Sequence, residues 1–380
     1  MKKIVLSFLL VLWALADRAQ IIDRTDDHVS ISELQLTLGE DIKTKYFVVS
    51  LEGSKIYTAA TMDIELPDGY EFVLTSAGEA RVTLTNEAKQ GLYPVTNPDE
   101  VEEEDADPIY DSHKLSFNIL NGNTLRVVDA SQDLKNFAKT SGKLFRVYIK
   151  TTPYAKPGYA AIKVKNCFFN TEEGSKWIAD DITIDDKVSV SSGTSLPLNI
   201  NSSIKWNTCI LPFATEIPDG VKAYTSNGND ENNVYLYEAT SLSAYTPYIL
   251  YSEAGHSGTL SGTVDPALYP ESGVVVQGNL HGAIVTQEVS SGYVLQNGSE
   301  GVKFYTIPMD MTIPAGKCWV TLPSGSSSKA INFVVEDADG IDNVRTMSDN
   351  AEIYTLDGRK AGKLVPGSLY IKEGRKFINK

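Results

Sequence analysis

Apolar and polar residues alternate with a period of two along most of this chain. Ile56, Thr58, Ala60, Met62, Ile64 and Leu66 share one parity, Tyr57, Thr61, Asp63 and Glu65 share the other, and Pro67-Asp68-Gly69 ends the run. This spacing predicts a strand with one buried face. Phe145, Val147 and Ile149 alternate with Arg146, Tyr148 and Lys150, and after the turn Lys156-Pro157-Gly158, Ala160, Ile162 and Val164 alternate with Lys163 and Lys165. Both stretches predict antiparallel sheet with one wet face. The best helical candidate is short, Gln132 to Thr140, with Ser131 as N-cap and Gly142 near its close. From Leu198 strands resume over Trp206 to Phe213, Val234 to Glu238, Tyr248 to Tyr251, Gly273 to Gln277, Gly292 to Leu295, Lys317 to Leu322 and Ile331 to Glu336. Turns rich in Gly, Pro, Asn and Ser separate them at the spacing of a β-sandwich.

The expected fold is therefore all-β: two antiparallel β-sandwiches of jelly-roll or immunoglobulin-like type and a small C-terminal β-meander. The expected divisions are a leader at 1–19, a first sandwich at 24–190, a linker at 191–197, a second sandwich at 198–340 and a tail at 341–380. Within the first sandwich, residues 98–108 combine terminal prolines with a block of like charge. Such a segment does not fit a sheet interior and is expected as a solvated insertion loop. The linker is expected from the composition Ser191-Ser192-Gly193-Thr194-Ser195. The tail, with Asp357-Gly358 and Glu373-Gly374 as its turns, offers too few strands for a core of its own.

Lys2 and Lys3 precede an apolar run from Ile4 to Leu15 that ends in small residues and turns polar at Asp17, the layout of a secretory signal peptide. Cleavage is expected after Ala16 or Ala19. The run is shorter than the roughly 20 residues that span a bilayer, and no later stretch is long enough to do so. The expected localisation is secreted or extracellular, at the cell surface.

Composition narrows the function. The 380 residues carry 34 Lys and Arg against 49 Asp and Glu, a formal charge of −15, so phosphate backbones and anionic lipids are repelled and nucleic acid is excluded as a partner. With 42% hydrophobic and 22% charged residues the chain has the material for sizeable cores.

Candidate chemistry is sparse. His28, His113, His256 and His281 stand far apart, without metal-ligand spacing. Cys167, Cys209 and Cys318 form no C-x-x-C pair, and each lies in apolar company, which predicts buried free thiols while leaving one disulfide among them open. Gly255-His256-Ser257-Gly258-Thr259 lacks the second glycine of a nucleophile elbow and is expected as a polar turn. No pair among the 49 acids is singled out for glycosidase chemistry, and no Gly-rich phosphate loop is present. No catalytic residue and no cofactor is therefore expected.

Calcium is the one metal that suits an acidic exported protein. Asp105, Asp107 and Asp111, or Asn227, Asn229 and Glu231, place oxygens at alternate positions, but neither group has the central glycine and closing glutamate of a helix-flanked calcium loop. The missing pattern favours solvated loop. Aromatic side chains are the remaining lead, because sugar rings stack on exposed Tyr and Trp faces. The candidates are Tyr235 and Tyr237 on one strand face and Tyr245, Tyr248 and Tyr251 around Pro247, against a bland reading in which most of them fill a core.

Residues 30 to 190 resemble the cohesin-like and carbohydrate-binding-module superfamily of jelly-roll sandwiches. The resemblance is carried by Phe47-Val-Val-Ser-Leu-Glu-Gly53, Met62-Asp-Ile-Glu-Leu-Pro-Asp-Gly69, Ser141-Gly-Lys-Leu-Phe-Arg-Val-Tyr-Ile149 and Pro157-Gly-Tyr-Ala-Ala-Ile-Lys-Val-Lys-Asn166. Such domains bind dockerins in cellulosomes. The acidic insertion departs from the pattern, and no binding residue is transferred. The second unit is similar to a module of secreted proteins in gut and oral anaerobic Gram-negative bacteria, through Trp206-Asn-Thr-Cys-Ile-Leu-Pro-Phe213, Thr246-Pro-Tyr-Ile-Leu250, Tyr293-Val-Leu295 and Ile313-Pro-Ala-Gly-Lys-Cys-Trp-Val-Thr-Leu-Pro323. The tail, from Ile353-Tyr-Thr-Leu-Asp-Gly-Arg-Lys360 through Gly367-Ser-Leu-Tyr-Ile371 to Lys376, resembles the C-terminal sorting domain of type-nine secretion, which implies secretion machinery as a partner.

Together these readings predict a non-enzymatic adhesion or scaffolding protein that binds a cell-surface protein or glycan through its sandwich faces. The runner-up is a carbohydrate-binding module or accessory domain of a glycan-degrading system, with a glycan hydrolase behind it.

Overall fold

The computed structural model describes residues 22–85, 113–131, 134–137, 139–230, 233–307, 309–322, 329–336, 353–355, 359–361, 369–372 and 375–378. The leader at 1–19 and the insertion at 98–108, with Asp105, Asp107 and Asp111, lie outside them. The described chain is all-β, with strands throughout and one 3-10 turn at Pro266–Leu268. No helix among the described residues is long and apolar enough to cross a membrane. The chain divides into two compact units, Met1–Leu196 with Thr263–Ala267, and Pro197–Gly262 with Leu268–Lys380.

In unit 1 the strands are β1 (Ile22–Arg24), β2 (His28–Ile31), β3 (Leu34–Thr37), β4 (Tyr46–Glu52), β5 (Ala59–Glu65), β6 (Tyr70–Phe72), β7 (Val82–Leu84), β8 (Lys114–Asn121), β9 (Thr124–Ala130), β10 (Gly142–Thr151), β11 (Gly158–Asn170), β12 (Lys176–Ile178) and β13 (Ile182–Ser191). An eight-stranded sheet runs β1-β12-β11-β5-β9-β8, with β13 beside β11 and β3 beside β13, and a five-stranded sheet runs β2-β4-β10-β6, with β7 also on β10. Neighbours are antiparallel except β1–β12 and β3–β13. The period of two explains the layering. Phe47, Val49 and Leu51 of β4 and Phe145, Val147 and Ile149 of β10 are at most 1% exposed, as are Ala60, Met62 and Ile64 of β5, Leu125 and Val127 of β9, and Ile162 and Val164 of β11. Two sheets each bury one face, which makes a sandwich.

Two local expectations give way. The expected parity holds from Thr58 onward except at Asp63, which is buried beneath Arg126 and Asn166, and it fails before that: Tyr57 is fully buried and Ile56 is half exposed, because the strand starts after them and Tyr57 turns inward to reach Asp27. The expected helix is absent from the described part of 132–140. Leu134 has φ +55°, and the Phe137 amide donates to Tyr57 O at 2.6 Å rather than to a carbonyl one turn back. The expected linker region 191–197 runs from the end of β13 into β14 (Gly193–Ile200), whose alternation buries Leu198 and Ile200.

Unit 2 continues with β15 (Trp206–Ile210), β16 (Lys222–Asn229), β17 (Asn233–Ala239), β18 (Pro247–Tyr251), β19 (His256–Thr263), β20 (Val274–Gln277), β21 (Leu280–Ala283), β22 (Gln287–Val289), β23 (Tyr293–Gly298), β24 (Gly301–Thr306), β25 (Met311–Ile313), β26 (Cys318–Val320) and β27 (Ala330–Glu336). Ten of these form one continuous sheet in the order β15-β18-β16-β17-β27-β24-β23-β26-β21-β20. It rolls until its ends face each other. The Ile210 amide reaches Gly316 O at 3.2 Å, and the Cys318 amide reaches Thr208 Oγ1 at 3.2 Å. Gly282 permits this approach, since a Cβ there would lie 2.7 Å from Ile210 Cδ1. The roll encloses Ile210, Phe213, Leu236, Ile249, Phe304, Val320 and Ile331. In the tail, β28 (Ile353–Thr355), β29 (Leu369–Lys372) and β30 (Arg375–Ile378) form the three-stranded antiparallel meander that the turns predict.

Among the buried polar groups of unit 1, Asp129 differs from Asp27 and Asp63, whose carboxyls are hydrogen-bonded. Asp129 follows Leu125 and Val127 on the inward parity of β9, is fully buried, and has no hydrogen-bond partner on either carboxyl oxygen among the described residues. Burial pushes its pKa up to about 7.

Candidate functional site

The outer faces of the two unit 1 sheets differ in how far their charges are already satisfied. On the larger sheet, Arg126 Nε and Nη2 donate to the two Asp63 oxygens at 2.7 Å each, and Asn166 Nδ2 donates to Asp63 Oδ2 at 2.8 Å. Lys163 and Lys165 both hold Glu65, at 2.8 and 2.6 Å. The Arg126 bonds keep the Asp63 carboxyl below its ordinary pKa even though burial opposes them. A partner docking here would have to desolvate charges that are already matched.

The five-stranded sheet presents a different surface. Tyr46 and Tyr148 are register partners on β4 and β10, and outward parity brings their ring centroids to 5.0 Å at 55°. The Arg81 guanidinium lies 4.1 Å from the Tyr148 ring centroid, and that of Arg146 lies 5.4 Å from the Tyr46 centroid. Arg146 pairs in register with Val48 on one side and Thr83 on the other, while Arg81 enters from the segment before β7. One Nη of each arginine is held by a backbone carbonyl, Lys43 O for Arg81 and Leu84 O for Arg146, both at 2.9 Å. Neither guanidinium meets a carboxylate among the described ion pairs. Most of their donors therefore remain available to a partner. At the edge of the row, Lys150 Nζ sits 2.9 Å from Asp41 and 3.6 Å from Glu71. Its hydrogen bond holds the Asp41 carboxyl below the usual range. The arrangement suits recognition of another surface: flat aromatic faces, pre-ordered cations and a polar rim.

The tyrosines singled out in the sequence scatter. Tyr237 is 36% exposed on β17, and Tyr235 on the same face donates its hydroxyl to Asp230 Oδ2 at 2.7 Å. Tyr245 and Tyr248 are buried, so they present no open ring face: Tyr245 packs edge-on against Tyr269, and the Tyr248 hydroxyl accepts the Ser243 amide at 3.0 Å. Tyr251 is half-buried, donates to Glu253 and packs 4.6 Å from Trp206. Of the second candidate calcium group, Asn229 Oδ1 accepts Asn279 Nδ2 at 3.0 Å. Among the described residues no three His, Cys, Asp or Glu side chains gather as metal ligands. Ser257 donates to Asn199 Oδ1 at 3.0 Å. The three cysteines are buried and unpaired, and Cys318 Sγ donates to Cys209 O at 3.2 Å.

No protein-family model matches the chain, and no curated protein matches it. Among solved structures the chain is similar to a non-cellulosomal cohesin from the archaeon Archaeoglobus fulgidus, at 13% identity and TM-score 0.28, over 44% of this chain and 93% of that one. It is also similar to a cohesin module from a Clostridium perfringens family 33 glycoside hydrolase, at 11% identity and TM-score 0.30, over 44% and 98%. A third is the cohesin OlpA of a type I cohesin–dockerin complex from Clostridium thermocellum, at 14% identity and TM-score 0.30, over 44% and 99%. Each likeness is partial, so the assignment of the site rests on the chain's own side chains.

Proposed function

We propose that this chain is a non-catalytic scaffolding or adhesion module that docks a partner protein on the outer face of the five-stranded sheet. The row Arg81–Tyr148–Tyr46–Arg146 carries this reading. Tyr and Arg are the residues that dominate binding hot spots, and stacking fixes them before a partner arrives, which lowers the entropy lost on docking. Two guanidiniums without carboxylate partners among the described residues, in a chain of charge −15, call for a partner that brings its own carboxylates to the centre of the contact.

The export reading belongs with this one. The apolar run at Ile4 to Leu15 supports a cleaved leader, and the basic tail, with Arg359, Lys360, Lys363, Lys372, Arg375, Lys376 and Lys380, supports a signal read by secretion machinery. N-terminal sequencing of the secreted form should begin near Asp17 or Gln20, and intact Met1 in a membrane fraction would overturn the export reading.

The docking test places a photo-crosslinking residue at Ser50, on the same outward parity as Tyr46, in protein displayed on native cells. A discrete adduct is expected that falls at least tenfold in the Arg146→Ala, Tyr148→Ala double variant at an unchanged melting temperature. An adduct indifferent to the double substitution would place the contact elsewhere.

A further inference from the structure

Unit 2 holds a cavity of about 300 Å³ at the junction of β15, β23, β25 and β26. Its floor is apolar and fixed. Val294 and Ile313 are 6% and 3% exposed members of a core cluster with Trp319. Beside them Trp206 is braced by Tyr251 at 4.6 Å and by Phe333, edge-on, at 4.5 Å. The wall is polar and carries one charge. Lys317 Nζ lies 2.8 Å from Asn207 Oδ1, and Asn207 is itself held by its Nδ2 donating to Asn199 O at 2.7 Å. The ammonium is thus positioned by a neutral amide, with no carboxylate beside it among the described ion pairs. Exposed Asn297 adds a further amide to the lining. Among the described residues no Asp or Glu lines the cavity, although the chain has 49 of them.

Each property constrains the ligand. An apolar floor with an indole edge suits a flat, hydrophobic ring face. Amides on the rim suit hydroxyl groups, each of which is both donor and acceptor. A lone, pre-positioned ammonium in a site free of acids suits a carboxylate, through a charge-assisted bond. A volume at the small end of ligand pockets admits one ring rather than an extended chain. We infer that this cavity binds a single sugar-acid residue, a hexuronate, with its ring on Val294 and Trp206, its carboxylate on Lys317 and a hydroxyl on Asn297. The site lies wholly in unit 2 and is independent of the docking face of unit 1.

The test is titration of the full chain with methyl β-D-glucuronide, followed by saturation-transfer NMR, beside methyl β-D-glucoside and benzoate. The glucuronide is expected to bind saturably, with the neutral glucoside at least tenfold weaker and benzoate weaker than the glucuronide. Lys317→Met, at an exposed side chain, is expected to weaken the glucuronide about tenfold, the loss of one charge-assisted contact, and to leave the glucoside unaffected. Asn297→Ala is expected to weaken both sugars severalfold, with both variants melting as the parent does. Absence of saturable glucuronide binding, equal affinity for the two sugars, benzoate binding as tightly as the glucuronide, or an indifferent Lys317→Met would each overturn the assignment.

Discussion

The Tyr57 hydroxyl donates to Asp27 Oδ2 at 2.6 Å, inside unit 1, and ties the segment before β2 to the segment before β5. Asp27 also accepts the Ser54 amide at 2.9 Å, the Ser54 hydroxyl at 3.0 Å and the Lys55 amide at 3.2 Å. Burial works to raise the Asp27 pKa, but the bonds from Tyr57, Ser54 and Lys55 outweigh it and leave the carboxyl below its ordinary value. A depressed carboxyl contributes stability that is present above the unfolded pKa and is lost as pH falls through the folded one.

Tyr57→Phe removes one of those donors and leaves the ring stacked on Phe169 at 4.7 Å. The expected cost is about 1–2 kcal/mol at neutral pH, narrowing in acid as Asp27 protonates. Denaturant unfolding of parent and variant at several pH values measures it, and a gap that stays constant into acid would show that Asp27 is not the acceptor that matters.

Asp129 has the opposite sign. Its folded pKa is raised to about 7 from an unfolded value near 3.8, so the folded state holds the proton where the unfolded state has released it. Unit 1 is expected to lose stability as pH rises from about 4 to about 7, and to stay at that lower level above it. Asp129→Asn should flatten this slope and melt higher than the parent at alkaline pH. A parent profile flat across that window would mean that the carboxyl is not isolated.

Burial pushes the thiols of Cys167 and Cys209 up to about 12 and raises that of Cys318 as well. Since the thiolate is the reactive form, native protein should take up no iodoacetamide while denatured protein takes up three equivalents, by intact mass. Fast alkylation of the folded chain would show that one of these sites opens.

Gly69 sits at φ +80°, and a Cβ there would lie 2.5 Å from Ala155 Cα, while its carbonyl accepts the Thr152 amide at 2.7 Å. Gly69→Ala therefore meets both backbone strain and a backbone collision, and is expected to cost about 1–3 kcal/mol or more by thermal unfolding. An unchanged melting temperature would require this turn to be far softer than its packing suggests.

Pro67-Asp68-Gly69 shows what the sequence makes legible. A local turn signal and a local period of two suffice for β5, and the same holds for β10 and for the tail meander. The docking row is only half legible. The wet parity of β10 gives Arg146 and Tyr148, but Tyr46 and Arg81 join them through strand register across distant segments, which no local pattern encodes. Tyr245 and Tyr248 are drawn together as candidates by sequence proximity, yet Tyr248 sits on β18, which is paired on both edges by β15 and β16, and Tyr245, just before that strand, is buried against Tyr269. The helix expected over 132–140 is absent from its described part because a tertiary hydrogen bond from Phe137 to Tyr57 captures the amide that a helical turn needs.

The parallel pairing of β3 with β13 sets Leu34 against Val188 and Thr37 against Ser191, so an early strand finds its neighbour only at the far end of the unit. Until that last strand exists, the edge of β11 that receives it stays open and β3 has nothing to add to. Closure therefore comes late and joins distant parts of the chain, which makes for slow folding.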